Sequence, residues 1–463
     1  MMFEIIKGKY FRFGLAAALF LLFIIWLGNY WFLFGLPIIF DIYVSRKVNW
    51  TFWKKREGKN SAFIEWLDAL IFAFVAVALI NIYLFQNYKI PTPSMESTML
   101  VGDHLYVSKV SYGPRAPITP LSFPFAQNRI RNTETYLKWL QLDYKRLKGF
   151  GNVKRNDIVV FNFPAGDTVV LENSAVSYYS IVRSTAMDTK MSDLNSGRPV
   201  KDWIDYENSA IKRIRSQTHI VDRPIDRRDN YIKRCVAVPG DSLEIIHGKV
   251  YINGEPQPAF EGIQYDYTVQ TNGRPLNPRA LEDFDLPLSS LGIQYNPRYS
   301  FQLSEQKANR LLTEIDDIIK VTKRERSGYN YLLFPHSESY RWNEDNFGPV
   351  WMPKEGVTVD LNLESLPFYK RIIKGYEANT LRVEGEDIYI NDILSTSYTF
   401  KMDYYWMMGD NRHSSSDSRY WGYVPENHIV GKPKFIWLSL NKNKKFLSKI
   451  RFNRFFKIVD AAE

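Results

Sequence analysis

Two apolar stretches near the N-terminus constrain this chain more than any other feature. Phe13 to Phe40 carries no charge, and Ala69 to Tyr88 is a second charge-free run. About 20 apolar residues cross a bilayer as a helix, which pairs its own backbone groups where water is absent. A membrane anchor is therefore expected over 1–88, with two spans at about 13–36 and 66–88. The first run is too long for a cleaved signal peptide, and no small-residue cleavage site follows it. Its length also leaves room for a tilted or re-entrant segment. Arg46, Lys47, Lys54, Lys55, Arg56 and Lys59 lie between the spans, against Lys7, Lys9 and Arg12 before them. Positive charge stays on the cytoplasmic side, so the middle loop is expected inside and everything after Tyr88 outside.

Composition excludes several function classes. The formal charge of +10 is spread along the chain rather than gathered into a stripe, which argues against nucleic acid as a partner. A single cysteine, Cys235, rules out an internal disulfide and any Cys-based zinc site, and the six His show no ligand-like pairing. No metal or other cofactor is expected.

The exterior part reads as mainly β, with helical and irregular insertions. "HLYVSKVSY" alternates, "DIVVFNFP" is a short β-rich run, and "YIKRCVAVPGDSLEI" is a strand closed by Pro-Gly-Asp. His247–Pro256 and Glu384–Ile393 read as Gly-bounded hairpins. Two amphipathic helices are expected: Thr133–Lys148, and Ser304–Lys320 with Ser304 as N-cap and Ala308, Leu311, Leu312, Ile315, Ile318 and Ile319 on one face. A catalytic β domain is expected over 89–255 and 400–440, with insertions at about 114–150 and 166–230, the latter loop-like and charged. An accessory region follows over 256–399, including a helix near 304–325. The tail 441–463, which opens with "NKNKKFLSKIRFNRFFKIV", is basic and aromatic; lipid contact, a solvated tail and a last packed strand stay open.

Three stretches concentrate residues suited to chemistry: Thr92 and Ser94 in "YKIPTPSMESTMLVGDH", Lys233 in "YIKRCVAVPGD", and "MGDNRHSSSDSRYWGYVP" from Met408. Ser94 has no Gly neighbours for a nucleophile elbow, and no Lys lies three residues after it. On a strand Lys233 shares its face with Tyr231, Cys235 and Ala237, a largely apolar set. Burial there disfavours an ammonium and brings the amine toward the range in which it can take a proton from serine. From the strand alone, a lysine snorkelling to solvent is the plainer alternative.

Taken together, these stretches resemble the type I signal peptidases, membrane-bound Ser-Lys endopeptidases that cleave signal peptides from exported proteins. The resemblance covers the anchor, Ile90–Lys109, Lys154–Pro164, Tyr231–Glu244 and Tyr404–Ser439. It implies a signal-peptidase-like β fold, Ser94 as nucleophile and Lys233 as general base. It also implies an oxyanion hole from the Thr92 hydroxyl and the Ser94 N–H, with Ser415 orienting the lysine amine. Asp417 and Arg419 would form a supporting salt bridge, and Asp410 and Arg412 would be structural. The implied partners are signal peptides of exported preproteins and membrane lipid, at the outer face of the bacterial cytoplasmic membrane.

The departures from the family pattern are Ser97 for a proline, His413 for an aspartate, and Asn156 and Ala237 for glycines. The turn at Ser97 is expected to differ locally, Asn156 to tolerate left-handed backbone, and His413 to be a loop residue rather than a catalytic base. Cys235 is expected to be a buried core thiol. Two competing functions are a non-catalytic anchored β module that binds exported chains, and a soluble-type Ser-Lys self-cleaving repressor hydrolase, against which the two spans argue.

Overall fold

The computed structural model describes residues 8–459, apart from 29, 51–59, 124–125, 132, 259, 261, 278–280, 282–283, 285, 287–296 and 443. The expected cations Lys7, Lys54, Lys55, Arg56 and Lys59 fall outside the described residues.

The first apolar run does not form the single span expected over 13–36. Helix α1 (Lys9–Leu27) stops at Gly28, whose φ of 62° is left-handed, and the chain reverses. A 3-10 turn (Tyr30–Phe34), a short helix (Gly35–Phe40) and a wide turn (Asp41–Ser45) then run back along α1. Gly35 sits against the Phe20 ring, and the Phe13 and Phe40 rings meet edge-on at 5.3 Å. The Asp41 carboxylate closes the return by accepting from Lys47 N, Val48 N and Trp50 Nε1. Gly-Asn at 28–29 is a turn signal that ends the helix inside an otherwise continuous apolar run. The return brings Arg46 and Lys47 to the end of α1 that carries Lys9 and Arg12. The two groups of cations were expected on opposite sides; their described members, Lys9 and Arg12 with Arg46 and Lys47, lie at one end of α1.

Helix α2 (Ala62–Tyr83) starts at Ser61, whose Oγ accepts from Ile64 N, and carries Glu65 in its first turn. At 22 residues it is about 33 Å long, a bilayer's thickness, and none of its residues is buried within the chain. The span expected over 66–88 thus ends at Tyr83. Phe23 and Trp26 of α1 meet the Tyr83 ring at 5.7 and 6.1 Å, so both helices finish at one level. There Trp26 Nε1 donates to Lys148 O and Lys145 Nζ to Gly28 O, joining the anchor to the β domain.

Among the described residues, eight strands form the main sheet: β1 (Phe85–Lys89), β2 (Asp103–Ser108), β3 (Ile158–Asn162), β4 (Asn230–Ala237), β5 (Tyr404–Met408), β6 (Val424–Pro425), β7 (Ile429–Ser439) and β8 (Lys457–Ile458). Their order is β1-β2-β7-β3-β4-β5-β6, with β8 on β7. Every pairing is antiparallel. β3 is buried at every residue and β4 from Lys233 on, which is why these strands read as apolar runs rather than alternating ones. β1 lies at the sheet edge and takes over directly from α2.

The insertions depart from expectation in three places. Residues 133–148 form no helix: Thr133–Glu134 pairs with Arg129–Ile130, and Arg146 is drawn into tertiary bonds with Glu426, Gly113 O and Ile429 O. The helix expected over 304–320 is α5 (Glu305–Glu314), capped by Ser304 Oγ as expected; Ile318 and Ile319 lie on a strand, Ile318–Lys323, paired with Tyr265–Thr271. The loop-like region 166–230 contains a helical hairpin, α3 (Tyr178–Asn195) and α4 (Trp203–Gln217), around Val182, Ala186, Tyr206, Ala210 and Ile214. Tyr178, Val182 and Ala186 recur every four residues, a helical signal hidden among polar neighbours. Within the two stretches read as hairpins, Lys249–Ile252 pairs with Glu255–Pro256 and Asp387–Ile390 with Ile393–Leu394; each first strand also pairs with the one before it, Ser242–Ile246 and Leu381–Glu384.

Candidate active site

Ser94 sits in a single 3-10 turn (Pro93–Met95) between edge strand β1 and β2. Proline at the first position of that turn presets φ and lacks the N–H that would have no partner there. Met95 and Met99 anchor the loop from below in a cluster with Ile90, Leu105, Ile158 and Val160. Ser97 closes the turn with φ 78°. A proline, locked near −65°, cannot take that conformation, so the substitution at 97 goes with a different backbone, as expected. Asn156 likewise adopts φ 71° in place of glycine.

Lys233 comes from the middle of β4. Its Nζ lies 2.7 Å from Ser94 Oγ and 3.1 Å from Ile232 O, and both side chains are almost fully buried, 7% exposed for Ser94 and 4% for Lys233. Burial lowers the amine to about 8, against an opposing pull from the Asp417 and Asp410 carboxylates. The Tyr231 ring lies 5.7 Å from Nζ. Cys235, one strand residue pair further along, is wholly buried, and burial pushes its thiol up. It is a core thiol, not a second nucleophile.

The C-terminal box wraps this pair. Gly409 approaches so closely that an added Cβ would lie 2.5 Å from Ser94 O and 2.3 Å from Ser415 Oγ. Asn411 N donates to Ser94 O (3.1 Å), and Asn411 Nδ2 to Pro93 O and Gln302 Oε1. Asp417 and Arg419 form a buried two-pronged pair at 2.9 and 2.8 Å, with Asp417 also accepting from Gly409 N. Although burial raises it, the Arg419 charge and hydrogen bonds hold the Asp417 carboxyl below its ordinary value.

Not every expected contact forms. Ser415 is buried beside Gly409, and its hydroxyl helps Arg419 hold the Asp417 carboxyl low; among the described residues the second hydrogen bond of the lysine amine goes to Ile232 O. Thr92 is exposed, with extended backbone at φ −125° just before the serine turn. Asp410 pairs with Arg234, at 2.8 and 2.7 Å, and accepts from Thr98 Oγ1 at 2.6 Å, a structural role as expected. Arg412 is buried, its backbone N donating to Gln264 O. His413 lies away from the serine: Asp266 N donates to its Nδ1, leaving Nε2–H to donate to Asp345 Oδ1 at 2.9 Å. Thr98, Asn411 and Gln302 were not singled out from the sequence. Their side chains act through partners 109 to 318 residues away, which no local pattern records.

A buried serine hydroxyl against a buried, easily deprotonated lysine is a nucleophile–base arrangement suited to acyl transfer. The family model described as "Signal peptidase, peptidase S26" matches residues 63–309 and 392–438. Signal peptidase I of Haemophilus influenzae is 27% identical over 394 residues, covering 85% of this chain and 74% of that protein. Signal peptidase I of Buchnera aphidicola subsp. Acyrthosiphon pisum is 23% identical over 439 residues, covering 92% and 93%. That of Helicobacter pylori strain J99 is 36% identical over 106 residues, 19% of this chain and 33% of that protein. The matched residues include the serine turn, the lysine strand and the C-terminal box, and with them more than half of the chain: it belongs to the signal peptidase family, peptidase S26.

Proposed function

We propose that this chain is a serine endopeptidase that removes signal peptides from exported preproteins, with Ser94 as nucleophile and Lys233 as general base. The observation that carries the reading is the 2.7 Å approach of Lys233 Nζ to Ser94 Oγ in a site dry enough to lower the amine to about 8. The neutral amine takes the Ser94 proton as Oγ attacks the scissile carbonyl. The oxyanion is stabilised by the Ser94 N–H and the Thr92 hydroxyl, each donor worth about 3–4 kcal/mol in comparable hydrolases. Lys233, now charged, returns the proton to the leaving amine and an ester forms at Ser94. A water then gives its proton to Lys233, attacks the ester and releases the acid, and Ser94 recovers its hydrogen. Ile232 O holds the amine in line throughout. Edge strand β1 offers an unpaired backbone row on which an extended peptide can add as a strand before reaching Ser94.

The pH profile tests the base. Only neutral Lys233 accepts a proton, so kcat/KM should rise with pH, reach half its plateau near pH 8 and flatten above it. A half-point near the ordinary lysine value of about 10.4 would count against the mechanism.

The anchor supports a multi-pass protein whose β domain lies on the extracytoplasmic side. Lys9, Arg12, Arg46 and Lys47 gather at the membrane end opposite the β domain, the arrangement the positive-inside rule requires. In intact cells, an impermeant maleimide should label Glu384→Cys and spare both Lys47→Cys and a cysteine placed before α1; Cys235 is buried and silent. Labelling at 47 would invert the orientation, and labelling before α1 alone would undo the hairpin.

A further inference from the structure

A cavity of about 860 Å³ lies between α2 and the β domain, and no step of the reaction uses it. Ala78 and Ile82 from the last turns of α2 form one wall. Gln86, Asn87 and Tyr88 of β1 line a second, with Asn162 of β3 and Asn230 of β4. The insertion that begins at about 114 supplies a third side through Pro117 and Phe123. That side is pinned in place. Thr119 N and Oγ1 both donate to Asp226 Oδ2 at 2.9 Å, and Arg227 Nη2 donates to Thr119 O.

The charges around the cavity do not balance. Lys109, Arg115 and Arg227 line it against a single carboxylate, Asp226. Arg115 donates to Asn427 O and Asn162 Oδ1, and Arg227 to Thr119 Oγ1 and the carbonyls of Ala126 and Gln127. All of these acceptors are neutral. Lys109 Nζ has no hydrogen bond and no ion pair among the described residues. Burial and the two arginines bring its amine down to about 7. An ammonium held there without a partner is disfavoured, and an incoming carboxylate relieves it.

The cavity lies on the route to Ser94. From Asn230 to Lys233, strand β4 pairs only with β3, so its other edge is unpaired, like that of β1. An extended peptide fits between two such edges, its alternate side chains entering pockets. A peptide rising from the bilayer beside α2 runs parallel to β1, since both leave the membrane and end at Ser94. The two strands then give the same measure. Asn230 lies three residues before Lys233, about 10 Å toward the membrane, and Gln86–Tyr88 lie on the same side of Ser94. The cavity therefore receives residues about four to six before the cut.

We propose that this cavity is an upstream subsite for the signal peptide, where Lys109 selects for an acidic side chain and against a basic one. The subsite rests on the proposed cleavage of signal peptides. Its amide-rich lining favours a peptide over an acyl chain: Gln86, Asn87, Gln127, Asn162 and Asn230 can meet backbone groups that a hydrocarbon lacks. Exclusion is the stronger half of the selection, because another cation would stand unpaired beside three already present. The basic end of a signal peptide is thereby kept out of the cleft.

Three preproteins that differ only in Glu, Gln or Lys at the fifth residue before the cut, cleaved by the full chain in detergent, measure the selection. kcat/KM should fall about tenfold from Glu to Gln and about tenfold again to Lys, mainly through KM. Lys109→Met should flatten the order, and Lys109→Glu should reverse it. Equal rates with all three, or an order that survives Lys109→Glu, would overturn the inference. The same order from substitutions at the fifth residue after the cut would also overturn it, as a general charge effect. So would a flat order in a chain that carries a phospholipid by native mass spectrometry and loses it on Lys109→Met, since the cavity would then belong to lipid. Anisotropy of labelled signal peptides separates the two readings. A chain that cuts nothing but binds the three peptides in the expected order would sink the catalytic assignment and spare the subsite.

Discussion

Ser94→Ala and Lys233→Met are each expected to lower preprotein cleavage in detergent by about 10⁴- to 10⁶-fold, the range seen when one member of a catalytic unit is removed. The two losses should not add in the double variant, because nucleophile and base act as one device. Lys233→Arg should fail as completely as Lys233→Met, since a guanidinium stays charged at any pH the protein survives and cannot accept the serine proton. Stability separates this from unfolding. Replacing a buried amine by an apolar chain of similar length removes a desolvation cost, so Lys233→Met should melt no lower than wild type. Full cleavage by either single variant would eliminate the dyad and return weight to an anchored module that only binds exported chains.

Asp410→Ala carries the largest expected loss of stability. The carboxylate holds Arg234 by two hydrogen bonds and Thr98 by a third, with Asp410 fully buried and Arg234 2% exposed. Truncation leaves an uncompensated guanidinium in the core, which costs about 3–5 kcal/mol. For a domain of this size that is a fall in melting temperature of about 10 °C. The double variant Asp410→Leu, Arg234→Met should recover most of the loss, because it removes both charges together. Thermal unfolding in detergent decides the matter: a melting point within about 2 °C of wild type would show that Arg234 finds another partner. The pair spans the lysine strand and the C-terminal box, and Thr98 brings in the serine loop, so its loss should also loosen the approach of Lys233 to Ser94.

Much of the molecule was legible from particular residues. The strands around "DIVVFNFP" and "YIKRCVAV" carry their burial in their composition, and Ser304 announced its helix by the oxygen it offers at the first turn. The site boxes were legible because a turn with proline, a strand lysine and a long loop of Gly, Asp and Arg are each local chemistry. The α3–α4 hairpin was obscured because its buried stripe is narrow, with Tyr178, Val182 and Ala186 on one helix and Tyr206, Ala210 and Ile214 on the other standing singly among polar neighbours. The expected helix at 133–148 failed for the opposite reason. Its periodicity was real, but Arg146 gains more from four hydrogen bonds to the body of the domain than from a helix surface.

The anchor shows the same division. Hydropathy alone marked the two apolar stretches within the first 88 residues as membrane segments, because transfer of apolar area does not depend on how the segment is arranged. It could not say that 13–40 doubles back, since a hairpin and a straight helix bury the same residues in lipid; the reversal at Gly28 and the ring contacts of Phe13 with Phe40 decided that. At the site, residue types determined which groups could serve as nucleophile and base. Only the tertiary structure decided that Lys233 is dry and within reach of Ser94, that Ile232 O accepts from the amine, and that Arg234 answers Asp410. Desolvation and hydrogen bonding are properties of assembled surroundings, supplied here by residues as far as 318 positions apart, whereas hydropathy and functional-group chemistry belong to each residue wherever it lies.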